Sequence, residues 1–176
     1  MENMKEKDKF NEIREVFLIG DIEQKTYEIM EDLIKDRKNY STIKLYINSF
    51  GGDTWIGYSI INTLRMLKKK IITVNCGNCY SMAYNIYILG DERLAFKDSM
   101  FMIHDGSQQL NGSTQTVRRV MELDNWICQK LNKDIINLTK FNEKKLKIIL
   151  DKNEDYYFFA KEGILNGTCH KIISSI

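Results

Sequence analysis

A chain of 176 residues with 43% hydrophobic and 28% charged side chains is long enough for one domain with a sizeable core and too apolar to be disordered over most of its length. Its 26 basic and 24 acidic side chains leave a formal net charge of +2, so bulk electrostatics point to no nucleic acid partner, and the run Lys68-Lys69-Lys70 reads as a solvated helix end. No apolar stretch approaches the roughly 18 residues of a membrane span, the charged stretch 1–9 has no hydrophobic segment behind it, and four scattered cysteines suit buried thiols in a reducing compartment. A cytoplasmic protein with no membrane partner is expected.

Val16 to Ile19, closed by Gly20-Asp21, reads as a strand and turn, and residues 22–37 place Tyr27, Met30, Leu33 and Ile34 at helical spacing. Ile43 to Ile47 alternates like a strand and stops at Asn48-Ser49-Phe50-Gly51-Gly52, after which Ile56, Ile60, Leu64 and Leu67 form the stripe of an amphipathic helix. A β-branched run, Ile71 to Val74, ends at Asn75-Cys76-Gly77-Asn78 and is followed by an apolar helix over 81–89. Three strand–helix units in succession argue for an α/β fold with a mostly parallel sheet, in which reactive groups gather at the carboxyl ends of the strands.

Leu94 to Phe96 and Met100 to Ile103 read as short strands, the second ending at His104. A polar loop over 105–115 leads into one long helix, 117–138, with Ser113 or Thr114 near its cap and Val120, Leu123, Ile127, Leu131, Ile135 and Leu138 as its apolar face. A short helix over 142–150, a strand or helix start at Tyr156 to Phe159, and apolar residues Ile164 and Ile172 to Ile173 close the chain.

Ser81 follows a strand and a glycine-containing turn and opens a helix, a position with free backbone N–H groups that suits a nucleophile and an oxyanion site, and equally a helix-capping serine. A serine nucleophile needs a base, and the chain holds two histidines. His104 at a strand end is the better placed, whereas His170 lies beside Cys169 in a terminal segment with no obvious partner. Asp53, Asp91, Asp98, Asp105, Asp151 and Asp155 all fall near turns or element ends, and spacing does not choose an orienting carboxylate among them. Gly51-Gly52 allows close backbone approach to a ligand, but no phosphate-loop pattern is present. Cys76-x-x-Cys79 has metal or redox spacing with only Cys169-His170 to complete a zinc set, so packing is the expected role and no metal is expected.

These residues resemble the Clp protease proteolytic subunit (ClpP) family. Phe17 to Ile22 is similar to that family's opening strand and turn, Leu45 to Gly52 to its Tyr-Ile-Asn-Ser-Pro-Gly-Gly segment, and Gly77 to Met82 to Gly-x-Ala-Ala-Ser-Met. Met102-Ile103-His104 resembles Met-Ile-His, and residues 153–162 align with an Arg-Asp segment and its following Ala-x-Glu-Ala. The likeness is collinear over residues 10–173 and implies a single ClpP/crotonase-type α/β domain, 10–176, after a short N-terminal extension, 1–9, with helix 117–138 as a projecting handle.

The resemblance implies Ser81 as nucleophile, His104 as general base and acid, and Asp155 as the third triad member. It implies an oxyanion hole from the N–H groups of Gly52 and Met82, and a loop of Gln108, Gln109, Leu110, Asn111 and Gly112 that pairs with an extended peptide. It further implies a homo-oligomer of heptameric rings stacked as a tetradecamer, unfolded proteins as substrates, and an AAA+ unfoldase that uses ATP while this subunit holds no cofactor.

Departures from the family pattern concentrate near the site. Phe50 replaces a proline, Cys79-Tyr80 replaces two alanines, and Glu154 stands where an arginine usually pairs across the ring interface, which implies an altered double ring or a second ClpP-like subunit. The short N-terminus implies a reduced axial loop and altered unfoldase engagement. A phage-type head maturation protease and a catalytically weak or inactive ClpP-like structural ring subunit are the alternatives. A crotonase-type acyl-CoA enzyme would not need this serine, histidine and aspartate in this order.

Overall fold

Parallel pairing begins with the first two strands, β1 (Ile13–Ile19) and β2 (Thr42–Ser49), which run in register from Ile13 opposite Thr42 to Ile19 opposite Asn48. The computed structural model describes residues 12–106, 110–152 and 154–175, so the extension 1–9 lies outside it. β2 is buried on both faces, with Ile43, Leu45, Tyr46, Ile47 and Ser49 all inaccessible, as a central parallel strand covered by helices must be.

Helix α1 (Thr26–Lys35) buries Thr26, Met30 and Leu33. It starts later than residue 22 because Ile22 is held in a parallel bridge with Gly52, donating to Gly51 O at 2.8 Å and accepting from Asp53 N at 2.9 Å. Helix α2 (Thr54–Leu67) is capped by Asp53, whose Oδ1 accepts from Ile56 N at 2.8 Å, and ends at Lys68 in the left-handed region.

β3 (Lys70–Tyr80) corrects the sequence reading. The strand does not stop at Asn75 but continues through an irregularity that sets Ile47 opposite Asn75 and Ser49 opposite Cys79. Asparagine side chains replace the missing ladder bonds there: Asn75 Oδ1 accepts from Gly77 N at 3.0 Å, and Asn48 Oδ1 accepts from Asn78 N at 3.0 Å. Below the irregularity β3 pairs with β4 (Glu92–Phe96) and above it with β5 (Met100–Ile103), so one strand serves two neighbours.

After α3 (Met82–Tyr87), the long helix α4 (Thr114–Leu138) is capped by Ser113, which accepts from Thr116 N at 3.2 Å. Its buried face is Asp124, Ile127, Leu131 and Ile135; Leu123, expected inside, is exposed and Asp124 stands in its place. The N-terminal turns overhang the domain, leaving Met121, Leu123 and Trp126 exposed at 52%, 52% and 49%. The chain closes with α5 (Glu143–Asp151), β6 (Tyr156–Phe159), α6 (Ala160–Leu165) and β7 (Lys171–Ile173).

The sheet order is β1-β2-β3-β4-β7, all parallel, with β5 leaving the path to pair β6 antiparallel. The buried guanidinium of Arg93 on β4 ties the far end together, donating to Ile88 O, Leu138 O and Gly167 O at 2.9, 2.7 and 3.0 Å. These bonds satisfy carbonyls at the ends of α3 and α4 that would otherwise lack donors.

Candidate active site

The strand registers bring three side chains to one edge. Tyr80 on β3 lies opposite Met102 on β5, and the next bond, Ser81 N to Met102 O at 2.9 Å, extends that pairing to Ser81 itself. His104 follows β5 directly. Because β6 runs antiparallel to β5 with Tyr156 opposite Ile103, Asp155 is delivered alongside His104. No spacing in the sequence encodes this last juxtaposition; it needs the β5–β6 pairing.

Ser81 occupies a sharp strand-to-helix turn at φ 53° and ψ −124°, a conformation unusual for a residue with a Cβ. Its side chain makes no capping hydrogen bond, which removes the helix-cap reading. Instead Ser81 Oγ lies 2.7 Å from His104 Nε2, and His104 Nδ1 lies 3.3 Å from Asp155 Oδ1. The first is a good hydrogen-bond distance and the second slightly long, as catalytic contacts without substrate commonly are. The imidazole side chain is 27% accessible and the carboxylate 45%.

The Gly51-Gly52 segment packs directly against this turn. A Cβ on Gly51 would lie 2.8 Å from Ser81 Cβ and 2.9 Å from Tyr80 O, and both glycines have positive φ, 100° and 144°. Since Ile22 bonds to Gly51 O and Asp53 N, the N–H of Gly52 itself is left outside that ladder. Met82 opens α3, where the N–H groups of a first turn have no intrahelical acceptor. Its side chain lies across Gly57 of α2, where a Cβ would come within 2.7 Å of Met82 Sδ, and this contact fixes how α3 enters.

A cavity of about 60 Å³ opens beside Ser81 and His104, walled by Met82, Cys128, Leu131 and Ile135. Leu110, Asn111 and Gly112 form the approach to α4, with Asn111 and Gly112 exposed; Gln108 and Gln109 lie outside the described residues. Three of the five other candidate carboxylates have other occupations: Asp53 caps α2, Asp91 Oδ2 accepts from Ile71 N at 2.8 Å, and Asp151 pairs with Lys147 one helical turn away at 2.7 Å, while Asp105 lines the same cavity as Ser81 and His104.

His170 has a partner that the sequence did not reveal, accepting from Arg93 N through Nδ1 at 3.2 Å, remote in sequence and role from Ser81. Burial, and then the Arg93 charge, push its imidazole below the ordinary range. Burial likewise pushes the thiols of Cys79 and Cys76 up, which favours their protonated form, and no group of three His, Cys, Asp or Glu side chains among the described residues could hold a metal ion. No helix among the described residues is long and apolar enough to cross a membrane.

Two of the departures noted near the site, Phe50 and Tyr80, form a contact that a third ring extends. Phe50 and Tyr80 have ring centroids 5.5 Å apart, and Tyr80 meets Tyr157 edge-on at 5.4 Å. Tyr157 was not singled out in the sequence; its hydroxyl donates to Asp155 Oδ2 at 3.0 Å.

The family model described as Clp protease matches residues 2–175. An ATP-dependent Clp protease proteolytic subunit of Deinococcus radiodurans is 28% identical over 148 residues, covering 80% of this chain and 70% of the relative. A subunit of the same description, numbered 2, from Treponema denticola is 29% identical over 174 residues, covering 93% of this chain and 84% of the relative. The chain belongs to the Clp protease family, and its parallel-dominated α/β architecture is of the ClpP type.

Proposed function

We propose that this chain is a serine endopeptidase subunit that cuts unfolded polypeptides inside a ring assembly. The observation that carries the reading is the 2.7 Å contact between Ser81 Oγ and His104 Nε2 at a positive-φ turn, with Asp155 3.3 Å behind the imidazole. Ser81 Oγ attacks the peptide carbonyl as His104 Nε2 takes its proton; the negative charge that develops on the carbonyl oxygen is held by the N–H groups of Gly52 and Met82. His104 then returns the proton to the leaving amine, and water, activated by the same imidazole, releases the acyl group from Ser81. Asp155 orients the imidazole and stabilises its protonated form.

Family membership supports an oligomeric ring, and the exposed Met121, Leu123 and Trp126 of α4 supply apolar surface for contact with another copy. The relatives are named as ATP-dependent. By extension, ATP is used by an AAA+ unfoldase partner in the cytoplasm, and this subunit contributes no cofactor chemistry. Two stacked heptamers are the assembly we propose, with Glu154 altering the contact between rings.

A fluorophosphonate probe tests the catalytic reading. The assembled chain becomes labelled and Ser81→Ala does not; failure to label the parent, beside an authentic serine protease labelled in parallel, removes the enzyme reading and favours a structural ring subunit. Native mass measurement tests the assembly separately, a monomer at high concentration being the contrary result.

A further inference from the structure

The strand registers fix Ser81 and His104, but they leave Asp155 on the turn before β6 with nearly half of its carboxylate accessible. A carboxylate at such a position turns readily about its last bond, because that torsion is broad, unless its second oxygen is also held. Among the described residues, the side-chain partners of Asp155 are His104 at Oδ1 and Tyr157, whose hydroxyl donates to Oδ2 at 3.0 Å. Tyr157 is itself 52% exposed, so water competes for the same bond. What holds the ring is Tyr80, which is buried and meets it edge-on at 5.4 Å with an interplanar angle of 81°. Tyr80 is in turn braced by Phe50, the residue immediately before Gly51-Gly52.

We infer that Tyr157 is a positioning residue for Asp155, held in place by the Phe50–Tyr80 pair, so that one aromatic row braces the carboxylate from the oxyanion segment. The inference rests on the serine-protease reading above and deepens it. With Oδ2 held by the phenol, Oδ1 is aimed at His104 Nδ1, and a neutral donor does this without adding a charge that would compete with the imidazolium. The bond to Asp155 pushes the Tyr157 hydroxyl up from its ordinary value, so it remains a donor across the neutral range. The two bulky residues that replace proline and alanine in the family pattern thereby acquire a shared purpose.

The test is Tyr157→Phe in the full assembled chain, which removes one hydroxyl and keeps the ring contact with Tyr80. Expected is a fall of about fivefold in kcat for peptide hydrolysis with KM unchanged, the size of one lost hydrogen bond to a partly exposed group. Tyr80→Leu, which removes the brace, is expected to cause a similar fall, and the double variant to lose little beyond either single one. A Tyr157→Phe enzyme with parental kcat overturns the inference while leaving the protease reading intact, as does simple multiplication of the two losses. A parent chain whose Ser81 never reacts with the fluorophosphonate overturns both. An unchanged thermal midpoint and native mass in Tyr157→Phe separate lost alignment from lost folding.

Discussion

Replacing Ser81 by glycine and by alanine isolates the strain at the turn. Both changes remove the hydroxyl and its 2.7 Å contact with His104, so the two variants differ only in a Cβ held at φ 53° and ψ −124°. Holding a residue with a Cβ in such a region costs about 1–3 kcal/mol. Glycine avoids that cost but has a larger unfolded-state entropy, a penalty of about 0.5–1 kcal/mol relative to alanine. The difference leaves Ser81→Gly more stable than Ser81→Ala by about 1 kcal/mol, or about 2–4 °C in thermal midpoint for a chain of this size. The comparison is made by thermal unfolding at matched protomer concentration, since assembly contributes to apparent stability. Both variants are inactive toward peptide and probe. If alanine proved as stable as glycine or more so, the turn would carry no net strain and the argument from its backbone would fall.

Two further outcomes are expected. Gly52→Ala places a Cβ 2.7 Å from Ile22 N and in collision with Ile22 O at φ 144°, so the segment must move and carry its N–H away from the reacting carbonyl. Peptide turnover should fall about 100-fold, as for the loss of one oxyanion donor, and unchanged turnover would remove Gly52 from that role. His170 has a depressed imidazole in the folded chain, so protonation favours the unfolded state: stability is present above its ordinary value of about 6.5 and is lost as pH falls toward and through the lower folded value. His170→Gln, which keeps an acceptor for Arg93 N but does not titrate, should flatten that acid-side decline in a series of thermal midpoints against pH.

The alternation of strands and helices was legible because it lives in local periodicity: the apolar stripe of α2 and the β-branched start of β3 are each written within one segment. The second half of β3 was not, because Asn75 and Asn78 look like turn residues until Asn48, on another strand, supplies the acceptor that keeps the chain extended. His104 could be favoured over His170 from its place at a strand end, yet the bond from Arg93 that occupies His170 joins segments far apart in the chain. Asp155 was reached through family resemblance, and its residue type and spacing would have served Asp53 or Asp91 equally well. Those two are occupied by backbone N–H groups, a fact that only the folded chain reveals. Leu123 failed for a different reason: steps of four residues drift around a helix of about 3.6 residues per turn, so Asp124, Ile127, Leu131 and Ile135 make the buried face and Leu123 falls outside it.

The same geometry sets where residues around the site can change without moving Ser81 away from His104. Ser81 and His104 are coupled through a backbone ladder, with Ser81 N on Met102 O at 2.9 Å and the side chains at 2.7 Å, so any displacement of one strand end carries the other. Asp155 has no ladder bond that fixes its side chain, and its 3.3 Å contact is the looser of the two. Changes near the ladder must preserve backbone positions, and Tyr80 meets this demand because its backbone remains in register with Met102 while only its ring differs. Changes near Asp155 are freer and can alter alignment, which is where Tyr157 acts and where Glu154 brings a negative charge next to the carboxylate. Variation in alignment should therefore arise more readily from the β6 approach than from the β3–β5 pairing, because the contact of Asp155 with His104 is the longer of the two.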